Sequence, residues 1–356
     1  MLTREGYKSL VDLSSYDRLV PRSLCVLGAG SWGTALASMA NGDVHLWCRR
    51  TELADEINLS RRNTRYTGEM VVPENVVATA SLEVACHDAE VVLVAVPSTG
   101  FRAVVEAAAA FVDDAALLSL TKGLERGSHA TMTEVLRASF ERSQLGVLTG
   151  PNLAKEIALG MPAASVVAIH DATAATLVQA RLHGPRLRVY STRDVVGCEI
   201  AGVTKNVLAI AAGVSDGLGF GDNTRATIIT RGLAEMARLA VAMGGQSATV
   251  SGLAGVGDLV ATCTSDRSRN RRVGIALGQG RSLEQALESV GEVAEGVVSA
   301  QPLLELGASH GVELPICEQV ADMIAGTSTP AQSLAALTSR PAREERDRDG
   351  GRGSGP

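Results

Sequence analysis

A glycine pattern near the start of the chain most constrains the fold. Gly28-Ala29-Gly30-Ser31-Trp32-Gly33 has the spacing G-x-G-x-x-G, directly after the apolar run Leu24–Leu27 and before a helical stretch, 34–40. In a strand–turn–helix context the first glycine permits a tight turn and the second lets backbone approach a pyrophosphate. The third lets the helix pack closely on the strand. The motif therefore predicts a dinucleotide-binding fold, and an ordinary glycine-rich turn is the alternative.

Short apolar runs recur through the first half of the chain. They cover residues 24–27, 44–48, 91–96, 116–120, 146–148 and 165–169. Their lengths favour strands buried on both faces. Helical stretches at 81–89 and 131–141 lie between them. This alternation predicts a parallel sheet covered by helices, that is, an α/β Rossmann-type domain over residues 23–194.

The sequence changes character after about residue 195. The stretches 195–214, 224–243, 283–287 and 297–309 are rich in alanine and leucine at helical spacing. They predict an all-α C-terminal domain over residues 195–345. Residues 1–22 are predicted to be an N-terminal extension, because they precede the first predicted strand; they also lack the apolar segment of a signal peptide. Residues 346–356, charged and rich in glycine, are predicted to be a disordered tail.

Composition narrows the class of protein. The chain has 356 residues, of which 46% are hydrophobic, enough for two packed domains. Its net charge of -6 argues against a nucleic-acid binder that depends on overall positive charge. No uninterrupted apolar run has the length of a membrane span. The six cysteines are scattered without a C-x-x-C pair, which favours reduced thiols in the cytoplasm. The histidines lack ligand spacing, so no metal is predicted.

The end of the second predicted strand bears on the choice of nucleotide. NAD-selective sites place an acidic residue there to bind the ribose 2′-hydroxyl. This strand ends instead in Trp47-Cys48-Arg49-Arg50-Thr51. Two guanidinium groups suit a 2′-phosphate, so Arg49 and Arg50 favour NADPH, with NADH possible. Solvated surface arginines are the alternative interpretation.

Two ionisable residues stand in apolar surroundings in the second half. Lys205 lies in the apolar helical run 202–210. Lysine is seldom fully buried without a partner, and burial lowers its pKa toward neutrality, which suits general acid–base chemistry. A lysine that extends its head to solvent is the alternative. Asp258 follows the turn 255–257 in an apolar stretch, and we hypothesise that it pairs with Lys205 and a substrate hydroxyl rather than only capping a helix.

Candidates for binding a phosphorylated substrate lie at three places. Ser268-Arg269-Asn270 supplies a hydroxyl, a guanidinium and an amide, and the arginine fork matches phosphate. Alone, the segment 268–272 fits a solvated basic face or a nucleic-acid patch equally well, and Arg271 and Arg272 are predicted to lie on the surface. Lys122 ends one predicted strand. Gly150, Asn152 and Ala154 follow another, at the sheet edge where ligands bind in open α/β folds.

Several segments together resemble one family. In order, they are GAGSWGTALA (28–37), TKGLE (121–125), GPNLAKEIALGMP (150–162), 204–236, 252–270 and VAEG (293–296). The sequence resembles the bacterial NAD(P)-dependent glycerol-3-phosphate dehydrogenase family from about Leu24 to about Glu345. The resemblance implies a homodimeric two-domain enzyme that interconverts dihydroxyacetone phosphate and sn-glycerol 3-phosphate for glycerophospholipid synthesis.

The resemblance also implies roles for individual residues. It assigns proton donation and acceptance to Lys205. With the candidates above, the predicted cofactor site comprises Gly28, Gly30, Ser31, Trp32, Gly33, Arg49, Arg50, Lys122, Ala154, Arg269, Val293 and Glu295. The predicted substrate site comprises Lys122, Gly150, Asn152, Lys205, Asp258, Ser268, Arg269 and Asn270. Two departures stand out: the segment 38–47 is shorter than usual, and Asn152 replaces a serine or threonine but keeps a donor and an acceptor.

Two other functions share this architecture. One is another nucleotide-dependent reductase, such as a hydroxyacid or ketopantoate reductase, and the other is a non-catalytic nucleotide-sensing protein. The Ser268-Arg269-Asn270 set favours a phosphorylated substrate. The presence of four residues argues against a protein without activity: Lys122, Lys205, Asp258 and Arg269.

Overall fold

The first part of the chain forms one sheet flanked by helices. The computed structural model describes residues 23–291 and 293–341, so the predicted extension (1–22) and tail (346–356) lie outside the described residues. The strands are β1 (Ser23–Leu27), β2 (Val44–Trp47), β3 (Val76–Thr79), β4 (Ala89–Val94), β5 (Ala116–Ser119), β6 (Gln144–Thr149), β7 (Ala163–Ile169) and β8 (Leu187–Thr192). Their order in space is β3-β2-β1-β4-β5-β6-β7-β8.

The sheet departs from the prediction in two ways. Strands β6 and β7 are antiparallel, so the predicted wholly parallel sheet is wrong at that pair. Only a five-residue helix lies between them, which is too short to carry the chain back along the sheet. The sequence analysis also missed β3 and β8. Both lie at the edges of the sheet, where buried and exposed residues alternate instead of forming a continuous apolar run.

Helices cover both faces of this sheet. They are α1 (Ser31–Ala37), α2 (Thr51–Ser60), α3 (Thr64–Thr67), α4 (Leu82–Cys86), α5 (Ser98–Ala108), α6 (Met132–Ser139), α7 (Ala154–Ala158) and α8 (Ala172–Leu182). The helices predicted at 81–89 and 131–141 are present as α4 and α6. Helix α6 begins at a capping box in which the Thr131 hydroxyl and the Glu134 carboxylate each accept a backbone N–H. The α/β prediction is confirmed.

The rest of the described chain is helical, as predicted. The helices are α9 (Val195–Gly217), α10 (Asp222–Ala242), α11 (Ser247–Val250), α12 (Asp258–Thr264), α13 (Arg269–Gly278), α14 (Leu283–Val290), α15 (Glu295–Ser309), α16 (Pro315–Ala325) and α17 (Pro330–Thr338). A π-helical turn, 253–257, leads into α12.

Helix α9 is the centre of this helical region. It packs against α10, α12, α13, α15 and α16. By length and composition alone it could cross a membrane, but 89% of its apolar window is buried inside the molecule, which identifies a core helix. The crossing with α13 is close, because a Cβ atom at Gly274 would lie 2.1 Å from the carbonyl oxygen of Ile210. This contact brings the start of α13 close to Lys205 on α9.

Candidate active site between the sheet and the helical region

A cleft of about 1130 Å³ runs between the carboxyl edge of the sheet and the helical region. Nine basic residues line it: Arg49, Arg50, Arg65, Lys122, Lys155, Lys205, Arg267, Arg269 and Arg272. Glu295 is the one carboxylate among the lining residues that the structure describes. The chain as a whole is acidic, with a net charge of -6. The cleft therefore concentrates positive charge and suits anionic ligands.

The glycine turn at one end of the cleft fits a pyrophosphate. Gly28 has a φ of +119°, and a Cβ atom there would lie 2.7 Å from the carbonyl oxygen of Ala95. A Cβ atom at Gly33 would lie 1.9 Å from the carbonyl oxygen of Gly28, whereas Gly30 faces open space. The buried hydroxyl of Ser31 has no hydrogen-bond partner within the described part of the chain. Open backbone N–H groups at a helix start are a common anion site.

A neighbouring segment that the sequence analysis missed is fixed to this turn. The buried Asn63 side chain donates to the carbonyl oxygen of Ala29 at 2.9 Å and to the Thr34 hydroxyl at 2.8 Å. Arg65 and Tyr66 follow on α3 and line the cleft, with the guanidinium 5.5 Å from the ring centroid. No sequence signal pointed to them, because the contact joins segments about thirty positions apart.

The predicted nucleotide residues border the same cleft. Trp32, Ala154 and Val293 line it, and Arg49 and Arg50 are exposed on its wall directly after β2. Arg49 and Arg50 lie beside the start of α2. Glu295 lines the cleft as well, but both its carboxylate oxygens accept hydrogen bonds from Ser98.

Two lysines share one buried carboxylate at the other end of the cleft. The Lys205 Nζ atom lies 3.1 Å from Oδ1 of Asp258, and the Lys122 Nζ atom lies 2.5 Å from Oδ2. Lys205 is 7% exposed and Asp258 is 2% exposed. Helix α9 carries Lys205, α12 begins at Asp258, and Lys122 follows β5, so three elements meet here. The predicted Lys205–Asp258 pair is present.

The surroundings lower the pKa values of both Lys205 and Asp258, for different physical reasons. Burial lowers the pKa of Lys205 to about 8, although the attraction of Asp258 partly offsets it. Burial alone would raise the pKa of Asp258, but the two ammonium groups outweigh it and lower that pKa overall. Thr262, one turn after Asp258 on α12, places its hydroxyl oxygen 2.9 Å from the Lys205 Nζ atom. Sequence reasoning missed Thr262, although an acid and a hydroxyl four positions apart share a helix face.

The predicted substrate residues of β6 and its loop have mostly internal partners. The carbonyl oxygen of Gly150 accepts a hydrogen bond from the Lys122 Nζ atom at 3.0 Å. Asn152 donates to the carbonyl oxygen of Ala164 at 2.9 Å and accepts from the Ser165 hydroxyl at 3.1 Å. The donor and acceptor of Asn152 thus fix the loop to β7, while the residue still lines the cleft.

The Ser268-Arg269-Asn270 set lies at the start of α13 beside Lys205. Ser268 caps the helix by accepting the N–H of Arg271, and the exposed Arg269 lines the cleft. The Asn270 side chain is buried and bonds to Asn206 and to the N–H of Gly296. These three positions converge on one wall of the cleft.

The surface placement predicted for Arg271 is wrong. Arg271 is 7% exposed, and its guanidinium lies 2.7 Å from Oδ2 of Asp216 and 2.6 Å from Oδ1 of Asp266. Arg272 is half-buried, lines the cleft and donates to the carbonyl oxygen of Ser289 at 2.9 Å. A buried guanidinium needs paired carboxylates, and Asp216 on α9 supplies one.

Within residues 23–291 and 293–341, no group of three or more His, Cys, Asp or Glu side chains could hold a metal ion.

Comparisons with known proteins bear on this arrangement. Residues 23–175 match the model of the NAD-dependent glycerol-3-phosphate dehydrogenase N-terminus, and residues 194–335 match that of the C-terminus. Glycerol-3-phosphate dehydrogenase [NAD(P)+] from Corynebacterium jeikeium is 46% identical over 329 residues, which are 90% of this chain and 99% of that protein. The same-named protein from Streptomyces coelicolor is 45% identical over 332 residues, 92% of this chain and 99% of its own.

A solved structure shows the same architecture. The crystal structure of glycerol-3-phosphate dehydrogenase from Coxiella burnetii superposes with a TM-score of 0.86 at 38% identity, covering 90% of this chain and 99% of that one. The two family models together cover the sheet, the glycine turn and the helices that carry Lys205, Asp258 and Arg269. The chain therefore belongs to the NAD-dependent glycerol-3-phosphate dehydrogenase family, whose members are NAD(P)-dependent oxidoreductases.

Proposed function

We propose that the chain reduces dihydroxyacetone phosphate to sn-glycerol 3-phosphate with NADPH, and that Lys205 donates the proton. The observation that carries this proposal is the buried Lys205–Asp258 pair at the end of a cleft lined by nine basic residues, opposite a turn that fits a pyrophosphate. Family membership supports the substrate pair, and the charge of the cleft suits a phosphorylated ketone.

Lys205 supplies the proton that reduction of a ketone requires. The nicotinamide, when bound, supplies the hydride. Asp258 and Thr262 hold the Lys205 Nζ atom in place, and burial puts its pKa at about 8, so at neutral pH it is mostly an ammonium. It gives its proton to the carbonyl oxygen as that oxygen becomes an alkoxide. The same pKa lets the neutral amine accept a proton in the reverse reaction.

Different arginines bind the phosphate group of the substrate and the 2′-phosphate of the nucleotide. Arg269, exposed at the start of α13, binds the substrate phosphate through its planar fork. Arg49 and Arg50, on the far wall directly after β2, bind the 2′-phosphate of NADPH, and the absence of an acid in Trp47–Thr51 removes the partner that NADH would use. We therefore propose a preference for NADPH.

Three wider proposals rest on the family. The product supplies glycerophospholipid synthesis, the enzyme works in the cytoplasm, and it is a homodimer. Reduced, buried cysteines fit the cytoplasm, since all six are free and buried.

One assay tests the proposal directly. Loss of NADPH absorbance is followed with dihydroxyacetone phosphate and with unphosphorylated dihydroxyacetone, in the wild type and in Lys205→Ala. We expect turnover of the phosphorylated ketone only, and a kcat lower by about 10²–10⁴ in the variant, the usual contribution of a general acid. Lys205→Arg should restore little, because a guanidinium does not release a proton. Wild-type turnover of both ketones, or a Lys205→Ala variant with only KM raised, would overturn the assignment.

A further inference from the structure

We propose that Ser98 and Glu295 are positioning residues that join the sheet region to the helical region and, through a chain of hydrogen bonds, hold Lys122 against Asp258. Ser98 begins α5, and Glu295 begins α15. The inference rests on the proposed function only for its kinetic consequence, because the contacts themselves are structural.

The contact between Ser98 and Glu295 uses both oxygens of the carboxylate. The Ser98 N–H donates to Oε1 at 3.0 Å, and its hydroxyl donates to Oε2 at 2.6 Å. The two residues are 197 positions apart in the chain, and Ser98 is 6% exposed. Hydrogen bonds to a charged acceptor are the stronger kind. Glu295, which also lines the cleft, is thus fixed to the first turn of α5.

The segment beside Lys122 lies directly against this pair. A Cβ atom at Gly123 would lie 2.8 Å from Oε2 of Glu295 and 2.9 Å from Cβ of Ser98. A residue with a side chain would push Glu295 away. The glycine therefore lets the backbone after Lys122 pack against the Ser98–Glu295 contact.

A second route leads from Glu295 back to Lys122 through two buried amides. The N–H of Gly296 donates to Oδ1 of Asn270 at 3.0 Å, and Nδ2 of Asn270 donates to Oδ1 of Asn206 at 2.9 Å. Nδ2 of Asn206 then donates to the carbonyl oxygen of Lys122 at 2.9 Å. Backbone at Lys122 is therefore held from α9 on one side and from α15 on the other.

The position of Lys122 affects the proton donor electrostatically. The Lys122 Nζ atom lies 2.5 Å from Oδ2 of Asp258, whose other oxygen faces Lys205. The groups that act on Lys205 are Asp258 and Cys263 of α12, which raise its pKa, and Lys122, which lowers it. If Lys122 moves away, Asp258 acts on Lys205 alone and the pKa of Lys205 rises. A displaced Lys122 should therefore raise the pKa of Lys205, whereas a general loss of stability should not.

The test compares Ser98→Ala with Thr133→Ala. Thr133→Ala is a matched control, because the Thr133 hydroxyl donates at 2.5 Å to Glu199, a buried carboxylate on α9, and no side-chain hydrogen bond among the described residues joins Glu199 to Lys122. The chain has four lysines (Lys8, Lys122, Lys155 and Lys205), so the pKa of Lys205 can be measured by NMR of labelled lysine, with Lys205→Ala giving the assignment. The pH–rate profile of the reduction is recorded in parallel.

Expected results separate the two variants. In Ser98→Ala the pKa of Lys205 should rise by roughly half to one unit, and kcat should fall by up to about tenfold, because a weaker acid donates its proton more slowly. The change in NADPH affinity should be smaller. Ser98→Thr, which keeps the hydroxyl, should restore the wild-type pKa. Thr133→Ala should leave that pKa unchanged even if it lowers stability.

Two results would overturn the positioning role: an unchanged Lys205 pKa in Ser98→Ala, or an equal change in Thr133→Ala. If Ser98→Ala does not fold, Glu295→Gln takes its place with the same criteria. A raised NMR pKa that the pH–rate profile does not follow would instead count against Lys205 as the proton donor. The NMR measurement therefore distinguishes a failure of this inference from a failure of the proposed function.

Discussion

Asp258 is the residue whose replacement should disturb the site most. Its carboxylate is 2% exposed and lies 2.5 Å from Lys122 and 3.1 Å from Lys205. Asp258→Asn keeps the size of the side chain and removes the charge between two ammonium groups. Removing one partner of a buried ion pair costs about 3–5 kcal/mol, because the remaining charge stays buried. Lys205 can release its proton instead, so we expect a loss at the lower end, about 3 kcal/mol at pH 7.

The same change should alter the pH dependence of the reaction. Asp258 raises the pKa of Lys205, so without it the pKa falls below the present value of about 8. Reduction needs the ammonium form, so the rate of the wild type should decline as pH rises through about 8. In Asp258→Asn the decline should begin at lower pH. Lys122→Met should do the reverse, because it removes an ammonium that lowers the pKa of Lys205.

Urea denaturation at pH 7 and initial rates of NADPH oxidation between pH 6 and 10 test both expectations. The opposite shifts of the two variants are the decisive result, since general damage to the site would move both profiles in the same direction. An Asp258→Asn protein with wild-type stability would show that the Asp258 carboxylate is not needed to compensate the charges of Lys122 and Lys205. Shifts of the same sign in both variants would refute the electrostatic reasoning.

Three further predictions concern other parts of the molecule. Replacing Arg49 and Arg50 with glutamine should weaken NADPH binding by about 10²-fold or more, because two charge-assisted hydrogen bonds of roughly 1.5–3 kcal/mol each are lost. The affinity for NADH should be nearly unchanged. Calorimetric titration with both nucleotides tests this, and equal losses of affinity would reject the 2′-phosphate site. Arg269→Lys should raise KM for dihydroxyacetone phosphate in a folded protein, because lysine lacks the bidentate fork. A variant with wild-type KM and kcat would show that Arg269 does not bind the substrate phosphate. Burial raises the pKa of Glu199 from 4.5 to about 6, so its stabilising contribution is present below about pH 4.5 and is lost as pH rises through 6. Glu199→Gln should remove that dependence, which amounts to about 2 kcal/mol between pH 4.5 and 7.5 in urea denaturation, and identical pH slopes in both proteins would contradict it.

The elements that the sequence predicted well are those whose burial is uniform. Central strands such as β4 and β5 are continuous apolar runs because helices cover both faces, and Lys205 was conspicuous because its helix is apolar all round. Edge strands β3 and β8 have one exposed face and gave no such run. The amide chain from Gly296 to Lys122 was beyond sequence reasoning, because its members pair across 26 to 84 positions and each is an ordinary polar residue on its own.

The basic segment 268–272 shows why composition alone left its role open. As a string, Ser-Arg-Asn-Arg-Arg fits a solvated face, a phosphate site or a nucleic-acid patch. Because the segment starts helix α13, successive side chains point about 100° apart. Arg269 and Arg272, three positions apart, therefore lie on the same side of the helix and both line the cleft, while Arg271 turns inward to Asp216. A nucleic-acid footprint needs a row of guanidinium groups on one accessible face. The helix instead removes Arg271 from that face, and the Arg272 guanidinium also donates to the carbonyl oxygen of Ser289. The two arginines that remain face a cleft, which suits a compact anionic group better than an extended polynucleotide backbone.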